Sequence, residues 1–210
     1  MKICVEANIG AGKSTFLNAI NEYDSDKFNI IQEPVDEWID TKDSDGSNIL
    51  DRFYQDQNRW SFTFQMNSFI SRVNKVEENL KNDCMNIIER SIYTDKNCFA
   101  MNCLESGKMT QLEWNVYEKW HNWLSQKFNV KPDMYIYLQT TPKVCEKRIN
   151  KRNRSEESNI PIQYLEMLHQ KHEEWLLNET TPTLIINVDE DFDYKDRINE
   201  IISKILSFTK

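Results

Sequence analysis

An α/β fold, with a five-stranded parallel sheet flanked by helices, is predicted by three features of this 210-residue chain. Short apolar runs suited to buried strands recur at 2–6, 28–32, 85–89, 133–138 and 184–188. Between them, apolar residues follow the helical period near 14–22, 50–82, 111–128, 142–153, 161–178 and 193–208. A glycine loop joins the first strand to the first helix. Strands that alternate with helices pair in parallel, with helices covering both faces of the sheet.

Ile3, Cys4 and Val5 make the first strand, and Phe16, Leu17, Ala19 and Ile20 the apolar stripe of the first helix. The run between them, Glu6-Ala7-Asn8-Ile9-Gly10-Ala11-Gly12-Lys13-Ser14-Thr15, has the setting a phosphate-binding loop requires. Glycines let successive N–H groups turn inward on a phosphate, and the helix N-terminus adds a positive dipole end. Asn8, Ile9, Gly10, Ala11, Gly12, Lys13, Ser14 and Thr15 are therefore expected to hold ATP or another nucleoside triphosphate. Lys13 would reach the β- and γ-phosphates, and the Ser14 hydroxyl would ligate Mg²⁺. Ala7 stands where such loops usually begin with glycine, which its backbone tolerates only at negative φ. Further on, Asp40–Asn48 is polar throughout and reads as a flexible, structureless loop. Pro142 and Pro161 follow Thr140-Thr141 and Ser158-Asn159-Ile160, as early helical prolines do. No repeat or linker divides the sequence, so one domain is expected over residues 1–210.

Composition narrows the partners. No run of eighteen apolar residues is present, so no membrane span is expected. The first strand begins at residue 2, leaving no room for a targeting leader, and a cytoplasmic location follows as an expectation. The 5 cysteines are odd in number and lack CxxC spacing, and so read as reduced thiols. A net charge of −8 argues against a nucleic-acid surface, which needs an extended basic face.

Two acidic positions fall at strand ends, where open α/β sheets place functional groups. Glu33-Pro34-Val35 follows the second strand, and a carboxylate there can take a proton from a hydroxyl beside a γ-phosphate. Glu89-Arg90-Ser91 ends the third strand; the acid can hold Mg²⁺ through water and the arginine can steady a phosphate. Basic charge is concentrated in Lys147-Arg148-Ile149-Asn150-Lys151-Arg152-Asn153-Arg154. With a phosphate loop in the same chain, these arginines suit closure over a transferring phosphoryl group. His169 and His172 share a helix face but have no evident third ligand, and read as surface or packing residues.

Together these blocks resemble the deoxynucleoside kinase family. The resemblance runs through nearly the whole chain: the NIGAGKST loop, Glu33-Pro34-Val35 with Trp38, and Arg59-Trp60-Ser61-Phe62-Thr63-Phe64-Gln65. It continues through Glu89-Arg90-Ser91-Ile92-Tyr93, Arg152 with Arg154-Ser155-Glu156-Glu157, Ile160-Pro161 with Tyr164-Leu165, and Asn187-Val188-Asp189-Glu190-Asp191-Phe192. It implies a P-loop kinase with an arginine-rich lid at about 148–160, acting on a deoxynucleoside and a nucleoside triphosphate with Mg²⁺, and commonly a homodimer packed through long helices. By resemblance, Glu33 is the general base for the 5′-hydroxyl, Arg90 orients it, and Glu89 is the magnesium-side acid. Arg148, Arg152 and Arg154 form the lid, with Asn150 where some relatives have a further arginine. Tyr54 and Glu157 hold the 3′-hydroxyl. Trp38, Phe64 and Phe99 line the base slot, Leu50 belongs to the same acceptor set, and the Gln65 amide pairs with the base edge. Asp191 and Phe192 contact the donor adenine. Without the resemblance the aromatics would read as core.

Arg72 lies two helical turns after Gln65 on the same face, and Asp95 leads toward Phe99. They match the Arg and Asp that deoxycytidine and deoxyguanosine kinases carry and thymidine-accepting relatives lack. A carboxylate held by Arg72 would accept from an exocyclic amine and repel the O4 acceptor of thymine. Ser68, small beside the base, leaves room for a purine. The expected acceptors are deoxycytidine and/or purine deoxynucleosides. The alternatives are a thymidine-preferring kinase of the same family and a nucleotide-dependent switch.

Overall fold

The structure is a computed structural model describing residues 1–152, 160–190 and 194–208, the side chains of 194–196 excepted. Its sheet contains β1 (Lys2–Glu6), β2 (Phe28–Ile31), β3 (Met85–Glu89), β4 (Met134–Gln139) and β5 (Thr183–Asn187). The strands run in the order β2-β3-β1-β4-β5 and every pairing is parallel. All five residues of β1 are buried, because this strand has neighbours on both sides and helices on both faces. In the β1–β3 register Val5 stands opposite Glu89, so the phosphate loop and the Glu89-Arg90 corner leave the sheet side by side. This is the carboxyl edge, at the point where the strand order reverses.

One apolar layer lies under α1 (Lys13–Tyr23), α8 (Pro142–Arg152), α9 (Ile162–Leu176) and α10 (Tyr194–Ser207). Phe16, Leu17 and Ile20 of α1 are each 0% exposed, and such burial contributes about 1.5–3 kcal/mol per side chain. The opposite layer packs beneath α2 (Val35–Asp40), α3 (Ile49–Gln55), α4 (Gln57–Asn79) and α7 (Gln111–Lys127).

Three expectations are corrected. The single helix expected over 50–82 is two, α3 and α4, because Asp56 leaves the helical region (φ −145°, ψ 84°) and caps α4 through the Arg59 N–H at 3.2 Å. Residues 40–48 are not structureless. Lys42 pairs with Asn48, the Asp43 N–H donates to the Ser47 carbonyl at 2.9 Å, and Arg52 binds both Asp43 and Asp45. A helical run at 92–105 falls where no helix was expected: α5 (Ile92–Thr94), a π-helical turn (Asp95–Ala100) and α6 (Met101–Glu105). A capping box between Ser91 and Thr94 starts it. Among the described residues no helix is long and apolar enough to cross a membrane.

Candidate active site

A cleft of about 1190 Å³ opens at the carboxyl edge of the sheet, running from the phosphate loop to an aromatic slot between α2, α3 and α4. Its floor is the loop itself. Gly10 and Gly12 adopt φ of +78° and +97°. A Cβ on Gly10 would sit 2.7 Å from the Cys145 carbonyl oxygen and 2.7 Å from Ile149 Cγ1, so α8 leaves space for glycine alone. Ala7 is buried and has no positive φ, and its methyl is tolerated for that reason. Lys13 is buried, its Nζ 3.4 Å from the Asn8 carbonyl oxygen. Burial, then the charge of Arg90, lowers its pKa to about 8. Ser14 and Thr15 line the open cleft. Asn8 differs from its expected place in the lining: it is buried behind the loop, donating to the Leu165 carbonyl at 2.8 Å and accepting from the Ile9 N–H at 2.8 Å. Its side chain shapes the loop.

Beyond the loop lies a buried knot of charge. Glu33 accepts from Arg90 at 2.8 Å and 3.1 Å and from Arg72 at 2.8 Å. Burial pushes its pKa up, but Arg90, Arg72 and Lys13 together outweigh burial and hold it at about 2. Arg90 has φ +61°, the one non-glycine in the left-handed region among the described residues. Such a conformation costs about 1–3 kcal/mol and persists only where the surroundings dictate it. Here the Arg90 N–H donates to Val5, and its guanidinium returns to the Ala7 carbonyl at 3.3 Å while lying 5.2 Å over the Phe99 ring.

Glu89 and Ser14 line the same cleft, and Glu89 accepts from the Glu33 N–H at 3.5 Å. One hydroxyl and one carboxylate, both oxygen donors, fit Mg²⁺, which keeps several waters and takes phosphate oxygens instead of a full protein cage. No group of three metal-ligating side chains stands together among the described residues.

At the far end Trp38 meets Phe64 edge to face (5.4 Å, 79°), and Phe64 stacks on Phe53 at 4.6 Å. Trp38 is fixed by its Nε1–H donating to Ser71 Oγ at 2.8 Å. Leu50, Tyr54 and Phe99 complete the walls. Gln65 is 1% exposed, yet neither its Nε2 nor its Oε1 has a partner among the described residues. Gln65 lines the cleft, so its amide can donate and accept there. Arg72 donates from Nε and Nη2 to Asp95 at 2.8 Å and 3.1 Å, and Ser68 Oγ donates to Asp95 at 3.2 Å. Arg72 thus joins the aromatic end of the cleft to Glu33. Desolvation opposes its charge, but Asp95 and Glu33 raise its pKa far above the ordinary value.

Of the basic segment, Arg148 and Arg152 line the cleft, with Lys147 and Lys151. Arg148 also donates to the carbonyls of Ala11 (3.3 Å), Val188 (2.8 Å) and Glu190 (3.2 Å), bridging the phosphate loop to the end of β5. Arg154, Glu157, Asp191 and Phe192 lie outside the described residues. Of the two paired histidines, His172 is fully buried and stacked on Tyr137.

Three residues have parts here that the sequence reading did not assign. Phe53 extends the aromatic wall, and only its position three residues past Leu50 signals it. Asp189 accepts from Thr140 Oγ1 (2.8 Å) and the Thr141 N–H (2.6 Å), anchoring the start of α8. Glu6, fully buried, accepts from the Ser91 N–H (3.0 Å), Ser91 Oγ (2.7 Å) and Thr94 Oγ1. Burial raises its pKa, which the Thr94 and Ser91 hydroxyls partly offset.

The deoxynucleoside kinase family model matches residues 3–210. Deoxycytidine kinase of Homo sapiens is 37% identical over 237 residues, covering 99% of this chain and 90% of the relative. A probable deoxycytidine kinase of fowlpox virus is 39% identical over 214 residues, covering 99% and 87%. The mitochondrial deoxyguanosine kinase of Xenopus laevis is 34% identical over 220 residues, covering 91% and 83%. With a cleft that runs from the glycine loop across the carboxyl edge of the sheet, and these likenesses over nearly its full length, the chain is a phosphotransferase that belongs to the deoxynucleoside kinase family.

Proposed function

We propose that the chain transfers the γ-phosphoryl group of ATP, or another nucleoside triphosphate, to the 5′-hydroxyl of deoxycytidine and/or purine deoxynucleosides in preference to thymidine. The observation that carries this reading is the pair of contacts from one arginine: Arg72 holds Asp95 at the base end and Glu33 at the hydroxyl end of a single cleft.

Lys13 and the loop amides hold the triphosphate, and Mg²⁺ held by Ser14 and, through water, Glu89 would offset its charge. Glu33 receives the 5′-hydroxyl and takes its proton. At a pKa of about 2 it is a weak base in the empty cleft. Phosphate charges near Lys13 and Arg90 share those cations and move the carboxyl back upward. Little basicity is needed, because phosphoryl transfer proceeds mainly by positioning and charge stabilisation. Arg152 and Arg154 supply planar guanidinium groups for the equatorial oxygens as charge develops. Tyr54 and Glu157 hold the 3′-hydroxyl. The Gln65 amide pairs with one base edge while Asp95 accepts from an exocyclic amine. Thymine would set its O4 acceptor against that carboxylate, and each mispaired buried group costs roughly 1–3 kcal/mol.

Competition among the four deoxynucleosides with ATP and Mg²⁺ tests the reading. The expected ranking places deoxycytidine or a purine deoxynucleoside first in kcat/KM and thymidine last. ATP consumption should stay near idle without an added deoxynucleoside, as it would not in a nucleotide-driven switch. The Arg72→Met, Asp95→Ala double variant should gain thymidine activity. Thymidine ranking first with the unaltered enzyme would overturn the base assignment.

A further inference from the structure

Glu6 does not line the cleft, yet it joins the two halves of the site. Its backbone is the last residue of β1, where the strand passes through Ala7 into the phosphate loop. Its carboxylate turns to the other half, accepting from the Ser91 N–H, Ser91 Oγ and Thr94 Oγ1. The carboxylate therefore clamps the capping box that starts the helical run at Ile92. Asp95 follows Thr94 directly in that run, and Phe99 lies one turn further. On the other side of Ser91 stands Arg90, whose left-handed backbone is held at its own N–H by Val5 of the same strand.

We propose that Glu6 is a positioning residue: it fixes Arg90 and the Asp95–Phe99 turn relative to the phosphate loop, and so sets acceptor alignment and base choice. This rests on the reading of the cleft as a deoxynucleoside kinase site. Three donors converge on one fully buried side chain, and an amide at position 6 could accept from only part of that set while adding donors of its own. Released from the clamp, Arg90 can leave the left-handed region, and Asp95 moves with the helix start it follows.

Glu6→Gln in the full chain tests this. The expected result is a fall of about thirtyfold in deoxynucleoside kcat/KM and a drop of at least fivefold in the preference over thymidine. ATP affinity, titrated without deoxynucleoside, should stay within twofold. Native-state hydrogen exchange should quicken at least tenfold at amides 91–100 and not at all in α10. Thr94→Val, which removes one donor at constant size, should show the same pattern more weakly. It carries all these readouts if the Gln variant does not fold. Unchanged preference and exchange would overturn the proposal, and so would a proportional loss of every parameter including ATP binding. If the unaltered enzyme phosphorylates none of the four deoxynucleosides, the kinase reading fails, and the exchange measurement alone then decides the role of Glu6.

Discussion

Glu33 carries the sharpest expectation at the scale of single residues. Glu33→Gln keeps the shape and loses the basic oxygen, so turnover should fall about 10²–10⁴-fold. Deoxynucleoside affinity should stay within several-fold. Steady-state kinetics with a binding titration check it, and a variant keeping half of kcat would remove Glu33 from the base role. The pH dependence follows from two depressed pKa values. With a folded pKa of about 2 against 4.5, Glu33 stays ionised across the neutral range. Its stabilising contribution is complete above the unfolded value and lost only as pH falls toward 2. Lys13, held near 8, loses its charge in the empty cleft as pH rises through that value. Hence kcat/KM for ATP should fall above about pH 8, while kcat, measured with phosphates restoring the lysine charge, should not. A flat kcat/KM profile from pH 6 to 10 would contradict the Lys13 value. These residues were legible because their chemistry sits within short motifs at strand ends. Glu6 was not. Its donors are 85 and 88 positions away, and a buried carboxylate inside a loop motif resembles part of the loop.

At the scale of elements, strands were easier to read than helix ends. A buried parallel strand is a short apolar block, and all five appear within a residue or two of their expected bounds. The helix expected over 50–82 broke because one capping aspartate outweighs a continuous apolar period. The 92–105 run was missed because it changes from α to π and back, so no single period describes it. That irregularity places Asp95 in the cleft, as such turns often do at functional sites. Helix α8 gives the prediction at this scale. Arg152 lines the cleft from its last turn, where developing phosphoryl charge would meet it. Arg152→Ala should lower kcat more than it weakens deoxynucleoside binding, and Lys should restore only part, because a point charge replaces a planar fork. A change confined to deoxynucleoside KM would make Arg152 a binding residue.

For the whole molecule the question is what covers α7. Its inner face buries Trp114, Tyr117, His121 and Leu124 against α4 and the 92–105 run. Its outer face exposes Leu112 (74%), Val116 (37%), Trp120 (48%) and Trp123 (52%), spaced at helical intervals. The large aromatics of α7 therefore divide, Trp114 and Tyr117 into the core and Trp120 and Trp123 toward solvent. Neighbouring α4 adds exposed Ile70 beside Phe69, whose ring meets Tyr117 at 5.0 Å. An apolar surface of this kind on a chain with net charge −8 is the sort that partners cover. We propose that a second copy covers it, because a two-fold contact of α4 and α7 with themselves buries tryptophans on both sides in one isologous interface. Sedimentation at micromolar concentration should give twice the chain mass of 25.1 kDa. Trp120→Glu with Trp123→Glu should halve it while leaving circular dichroism unchanged, since neither ring contributes to the buried core. Because His121 Nε2–H donates to the Ile92 carbonyl oxygen at 3.1 Å, loosening α7 should also reach the helical run that carries Asp95. The monomeric variant is thus expected to bind deoxynucleoside several-fold more weakly with ATP affinity intact. A wild-type chain that sediments as a monomer would overturn the assembly.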